Sequence, residues 1–456
     1  MSVMYHQPTY ESQLFGYRQC RDQNLLAFLR HLQCLPPMDK NGPMNGRCSR
    51  ETEQMEQFLN QAFGFTNIPQ HYIVPGVKSF SLQQYPHQMQ PDAVIYFPHK
   101  CANSFAMTTQ EIKNWQRSYR VYAAKNVNGM SKETLHKALQ GKSEDGSDAF
   151  RMKFVVRIST CPILMEFDAK VIPRRLTDEW PNRIKLVSVT GIDFAGRKHD
   201  IGDIQHYLLN WQKLFHLDPK TGLPVVHNGR DFCPVSRGPS AILDEKRLRD
   251  SLTLMVRLRL RACDEEGVHI VVETGIGLGV FSGKQLGIDQ KVRRLSARAA
   301  REVLEEDGPS YKSIRAVVFA LPVFSQGRSH ERVPDTYDDF VNEFRTSNYN
   351  GRIPVLIADQ DMHRLTVAIA RRGYIVSELN PADSHGVFGE YWQNRGPAVE
   401  EKLALTTVGL LVQHHLINAE VLNKDRYHVL DMSGTPGSEP YAKTTHGNRD
   451  DRNPHK

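Results

Sequence analysis

At 456 residues the chain is too long for one compact core, and its length predicts two or three domains. Hydrophobic residues make up 40% and charged residues 24%, which excludes wholesale disorder, and no apolar run approaches the length of a membrane span. The net charge of +7 comes with 51 acidic residues and no dense basic run. Clusters such as Arg293-Arg294 and Arg257, Arg259, Arg261 therefore read as solvated helix faces, and the charge pattern argues against a nucleic-acid partner.

The opening MSVMYHQPTYESQLFGYRQC lacks the charged start and apolar stretch of a secretory signal, which predicts a cytoplasmic or nuclear protein. The seven cysteines are Cys20, Cys34, Cys48, Cys101, Cys161, Cys233 and Cys263. They are scattered and form no C-x-x-C pair, a pattern of free thiols rather than of a disulfide framework or zinc site.

In chain order, residues 1–150 mix Gln, Met, Asn and Pro with short apolar periodicities such as Leu25, Leu29 and Leu32, and predict helices and irregular structure with no assigned role. Residues 151–218 switch to period two. Met152, Phe154, Val156 and Ile158 form one set, Ile163, Met165, Phe167, Ala169 and Val171 a second, and Ile184 to Thr190 a third run. These predict antiparallel strands with one buried face, packed with the N-terminal region. Residues 219–239 are rich in Pro, Gly and Asp and read as a linker.

Residues 240–430 alternate helices with apolar strands, the pattern of a sheet covered on both faces. A helix through Leu248, Leu252 and Met255 precedes strand Val268–Glu273. Helix Val292–Glu306, strand Ile314–Leu321, helix Tyr337–Phe344, strand Ile353–Ala358, helix Met362–Arg371 and strand Tyr374–Leu379 follow, and a further helix begins at Pro397. Residues 431–456 carry almost no apolar side chain and read as a disordered tail.

Two loops of this region carry candidate chemistry. The first, ETGIGLGVFSGKQ, follows an apolar strand and holds Gly275, Gly277, Gly279 and Gly283, residues that let backbone N–H groups approach a phosphate. It lacks the lysine of a P-loop and the spacing of a dinucleotide fingerprint, so a plain glycine-rich turn is the competing reading. The second, from Ser377 to Ala404, gathers Asn380, Asp383, Ser384, Glu390, Tyr391 and Trp392 around Gly386 and Gly389. A loop of this length and aromatic content inside a compact domain is usually functional. Asp361 also suits a helix N-cap before MHRLTVAIA, and Glu390 also suits an ion pair with Arg395. His385 reads as a solvent-facing turn residue.

On these motifs the C-terminal region resembles a macro domain with its segments in permuted order. Gly279-Val280-Phe281 is similar to the family's G-I/V-F/Y loop, and VLIADQDMHRLTVAIARRGYIVSELNPADS is similar to its opening strand, acidic turn, next strand and first loop. The resemblance covers about 180 residues, under half the chain. It implies an α/β fold, a three-layer α/β/α domain preceded by an α+β region, and ADP-ribose or an ADP-ribosylated protein as ligand. It implies that Asp361, or its neighbour Asp359, meets the adenine amino group. Asn380 and Asp383 would hold the distal ribose beside Ser384, and Gly277, Leu278, Gly279, Val280 and Phe281 would surround the diphosphate. Tyr391 and Trp392 would enclose the ligand.

Two departures mark this chain. Asp383 stands where the family has a second asparagine, and HGVFGEYW replaces its glycine triplet. Both add acidic chemistry, and the macro-type ADP-ribosyl hydrolases, which include a bacterial effector acting on ADP-ribosylated ubiquitin, are the similar enzymes. Cleaving a ribosyl bond passes through an oxocarbenium-like state, for which a water-activating carboxylate is useful, and Asp383 and Glu390 are the candidates with the base unassigned between them. The reading is hydrolysis of ADP-ribose from a modified protein, with arginine as one candidate linkage. A non-catalytic ADP-ribose reader and an unrelated nucleotide-binding α/β protein are the alternatives. No cofactor is implied, and no ligand spacing demands a metal.

Overall fold

The computed structural model describes residues 12–35, 90–97, 105–125, 127, 129–140, 151–163, 183–198, 201–229, 231–236, 238–323, 334–379, 409, 411–415 and 418–432. In chain order the N-terminal part comprises β1 (Gln13–Phe15), α1 (Gln23–Gln33), β2 (Val94–Phe97), β3 (Phe105–Thr108), α2 (Thr109–Arg117), β4 (Arg120–Ala124) and α3 (Lys132–Leu139). Next come β5 (Val155–Pro162), β6 (Arg183–Ser188), α4 (Ile201–Tyr207), β7 (Val226–His227) and β8 (Asp231–Phe232). The remainder is α5 (Glu245–Glu265), β9 (Ile270–Glu273), α6 (Asp289–Glu306), β10 (Ala316–Ala320), α7 (Thr336–Thr346), β11 (Val355–Ala358), α8 (Met362–Ala370), β12 (Val376–Leu379) and β13 (Tyr427–Leu430).

Nine of these strands form one mixed sheet in the order β1-β11-β10-β9-β12-β6-β5-β4-β13. The run β11-β10-β9-β12-β6 is parallel throughout, so the protein is α/β with a mostly parallel sheet. β1, β5 and the β5–β4 pair add antiparallel neighbours at its flanks. Four of these five parallel strands read IVVE, AVVFA, VLIA and VSEL with every residue buried, and β6 exposes only Arg183 and half-exposes Lys185. Near-continuous apolar strands of this kind are stable only with helices on both faces.

The helices supply those two covers. On one face α5, α6 and α7 pack on each other, with α5 over β4 and β5 and α7 over β11 and β1. Asp244 caps α5 by accepting from the Arg247 N–H at 3.0 Å. Asp335 and Asp338 form a reciprocal capping box on α7. Ala297, Ala299 and Ala300 keep the inner side of α6 small, which lets neighbouring helices approach. On the other face α8 crosses β12, β9, β10 and β6. Among the described residues no helix is long and apolar enough to cross a membrane.

Several sequence readings change here. The stretch expected to be helical and irregular contributes β1 and β4 to the central sheet. Met152 to Phe154 form a 3-10 turn and the first strand runs Val155 to Pro162, later than the expected Met152–Ile158, while the second expected set, Met165 to Val171, lies outside the described residues. That strand is buried on both faces, with only Arg157 and Thr160 half-exposed, because it lies inside the sheet. Within 219–239 the chain forms the β7–β8 hairpin, tied to the neighbouring segment by bonds from the His216 N–H to the Cys233 carbonyl and from the Val235 N–H to the Leu214 carbonyl. From β9 to β12 the strands and helices fall within about three residues of their expected ends, whereas α5 runs on past the expected Met255 to Glu265.

Candidate functional site

Five parallel strands end along one edge of the sheet, and their exits in spatial order are residues 359–361, 321–323, 274–287, the chain beyond Leu379, and 189–197. Exits at the carboxyl ends of parallel strands are where open α/β sheets bind ligands. Adjacent strands lie about 5 Å apart, so the acidic turn after β11 and the glycine loop after β9 sit on the order of 10 Å from each other across β10.

The glycine loop folds back on itself through short-range bonds: the Ile276 N–H donates to the Thr274 carbonyl, the Leu278 N–H to the Gly275 carbonyl, and the Ser282 N–H to the Gly279 carbonyl. Thr274 Oγ1 donates to the Ala320 carbonyl at 3.1 Å and ties the loop to the end of β10. Within the described residues no hydrogen bond occupies the N–H groups of Gly277, Gly279, Val280 and Phe281. Gly277 has φ 71°, and a Cβ there would lie 2.8 Å from the Ile192 carbonyl oxygen, so only glycine fits. Gly277, Gly279, Val280 and Phe281 thus present backbone N–H groups without partners among the described residues, and successive amides of this kind can bind anions.

Of the loop residues singled out from sequence, Gly277, Gly279, Val280 and Phe281 lie on this exit, with Val280 66% exposed. Leu278 lies on the same loop, with its side chain 6% exposed and packed in the core. Phe281 lies half-buried beneath Arg197, whose guanidinium carbon is 5.0 Å from the ring centroid.

At the acidic turn the two aspartates divide. Asp359 is 3% exposed and accepts the Val323 N–H at 2.8 Å, joining the exits of β10 and β11. Asp361 is half-buried and caps α8, accepting from the His363 N–H at 2.8 Å and the Arg364 N–H at 3.3 Å. Asn380, Asp383, Ser384, Glu390, Tyr391 and Trp392 lie outside the described residues, as does the expected helix start at Pro397.

Sequence reasoning missed four features. The exit of β6 forms a second wall against the glycine loop: the Phe194 N–H donates to the Phe281 carbonyl at 2.9 Å, and Gln285 Nε2 donates to the Ala195 carbonyl at 2.6 Å. His363 Nδ1 sits 3.0 Å from both oxygens of Glu378, a carboxylate buried in β12. Arg259 Nε donates to Glu273 Oε1 at 2.7 Å at the foot of the glycine loop. Lys153 pairs with Asp203 below the β6 exit. A charged residue inside an apolar strand, as in VVE and VSEL, is the one signal that marked two of these.

Behind the glycine loop a small cavity is lined by Arg259, Glu273, Thr274, Leu278 and Ser296 among apolar side chains of α5 and α6. Glu273 Oε2 and Ser296 Oγ are buried there without a hydrogen-bond partner. Burial raises the Cys263 thiol to about 12, so this cysteine of α5 is inert packing and no nucleophile. Among the described residues no group of His, Cys, Asp and Glu has metal-binding geometry. No protein-family model matches the chain, and no curated protein matches it in sequence.

Proposed function

We propose that the chain binds ADP-ribose along the carboxyl edge of its parallel sheet and hydrolyses it from a modified protein, with ADP-ribosyl-arginine, on ubiquitin or another protein, as the candidate substrate. The observation that carries the reading is the row of amides at Gly277, Gly279, Val280 and Phe281, without partners among the described residues, on a loop where Gly277 takes a positive φ and packs on the Ile192 carbonyl. Such a nest suits a diphosphate. Asp361, half-buried across β10, would take the adenine amino group with the oxygen lone pairs left beyond its two cap bonds. Resemblance to macro domains supports the same assignment. It brings Asn380 and Asp383 to the distal ribose and makes Asp383 or Glu390 the base that activates water as the ribosyl bond breaks.

The test is release of free ADP-ribose from an arginine-ADP-ribosylated protein by the wild type, Asp383→Ala and Glu390→Gln. Loss of the base is expected to lower turnover by about 10²–10⁴-fold in one of the two variants while ADP-ribose still binds. Wild-type protein that binds ADP-ribose without releasing any would leave a reader module instead. One observation favours that second reading: the described carboxylates of this edge, Glu273, Asp359, Asp361 and Glu378, all hold structural bonds.

A further inference from the structure

The wall facing the glycine loop is clamped from below by a buried ion pair that the proposed chemistry does not use. Lys153 Nζ lies 2.7 Å from Asp203 Oδ2, and neither side chain is more than 2% exposed. The same ammonium donates to the Gly191 carbonyl at 2.9 Å. The same carboxylate oxygen accepts the Asp193 N–H at 2.7 Å. Together they grip the backbone on both sides of Ile192. The Ile192 carbonyl is the atom against which Gly277 packs, and two residues later the Phe194 N–H holds the Phe281 carbonyl.

Stability alone does not account for this pair. Burial pushes the Asp203 carboxyl up to about 6 in spite of Lys153, and Asp203 Oδ1 is buried without a partner. Buried ion pairs of this kind are generally replaceable by apolar side chains with little loss of stability, or with a gain. What an apolar pair cannot reproduce is the grip on Gly191 and Asp193.

We propose that Lys153 and Asp203 are positioning residues that set the backbone of residues 191–194 against the glycine loop, and so aim the loop's amides at an anionic ligand. The ligand part of this inference rests on the reading that the glycine loop binds a diphosphate; the positioning part does not. Two variants of the full chain test it, Asp203→Asn and the apolar double variant Lys153→Met/Asp203→Leu, the second serving if the first does not fold. Urea unfolding, hydrogen exchange at the bonded amides of Ile276, Leu278 and Ser282, and the Kd for ADP-ribose are measured on each. The double variant is expected to exchange those amides about tenfold faster and to bind ADP-ribose about tenfold more weakly, the scale of a lost hydrogen bond to a charged group. A folded variant whose loop amides exchange at the wild-type rate overturns the proposal, because a purely structural pair would move the midpoint alone. If the wild type does not bind ADP-ribose, the diphosphate reading fails, and the exchange measurement still decides whether the pair positions the loop.

Discussion

The two ends of the ligand edge are built by opposite means. At the β6–β9 end, backbone meets backbone: Gly277 against the Ile192 carbonyl and Phe194 against Phe281, with charged side chains withdrawn beneath as the pairs Lys153–Asp203 and Arg259–Glu273. At the β10–β11 end, carboxylates hold backbone directly, Asp359 on Val323 and Asp361 on the first turn of α8. Among the described residues, the first end leaves the N–H groups of Gly277, Gly279, Val280 and Phe281 without partners, and the second leaves one oxygen of Asp361 without one. The proposed ligand, ADP-ribose, would use both ends, its diphosphate at the first and its adenine amino group at the second.

The contrast is broken most severely at the foot of the glycine loop. Arg259→Met leaves Glu273, 2% exposed, as a buried carboxylate without its cation, and urea unfolding is expected to show a loss of about 3–5 kcal/mol. The double variant Arg259→Met/Glu273→Gln should recover most of it. Next in size is a pH effect confined to the same end. Burial, with Arg247 nearby, lowers His206 of α4 to about 4, so the fold favours its neutral form. The unfolded chain then binds more protons between about 6.5 and 4, and the stability contributed by His206 is lost as pH falls through that window. The wild type should therefore lose up to about 3 kcal/mol relative to His206→Gln between those limits, measured as the difference in unfolding free energy at each pH.

Smaller effects sharpen the contrast. Gly277→Ala places a Cβ at positive φ and 2.8 Å from the Ile192 oxygen, which should cost about 1–3 kcal/mol in unfolding and abolish ADP-ribose binding. At the other end Asp361→Ala removes a helix cap and should cost about 1 kcal/mol, whereas Asp361→Asn keeps the cap. Both should weaken ADP-ribose binding, and only the alanine variant should lower the thermal midpoint. Val280→Ala, at a 66% exposed side chain, should stay within about 0.5 kcal/mol in stability.

How much of this was legible in the sequence depended on local physics. Residues 245–379 were readable because VHIVVE and VLIA are mostly apolar runs, the helices carry apolar stripes, and α5, α7 and α8 begin behind aspartate caps. β1 and β4 were not, being short strands of three and five residues whose partners lie hundreds of positions away or outside any local pattern. In β5 the half-exposed Arg157 and Thr160 imitated an amphipathic strand although both faces are covered. In the site, the glycine spacing announced the loop, but not that the Leu278 side chain would turn from it into the core. Lys153 and Asp203 stand fifty positions apart, and neither carries a sign of the other until the sheet brings them together.

The most direct test of the account is calorimetric titration of ADP-ribose into the wild-type chain and Gly277→Ala. Saturable one-to-one binding to the wild type, absent in the variant, is the predicted result; a wild type that produces no binding heat and no shift in thermal midpoint with ADP-ribose would contradict it.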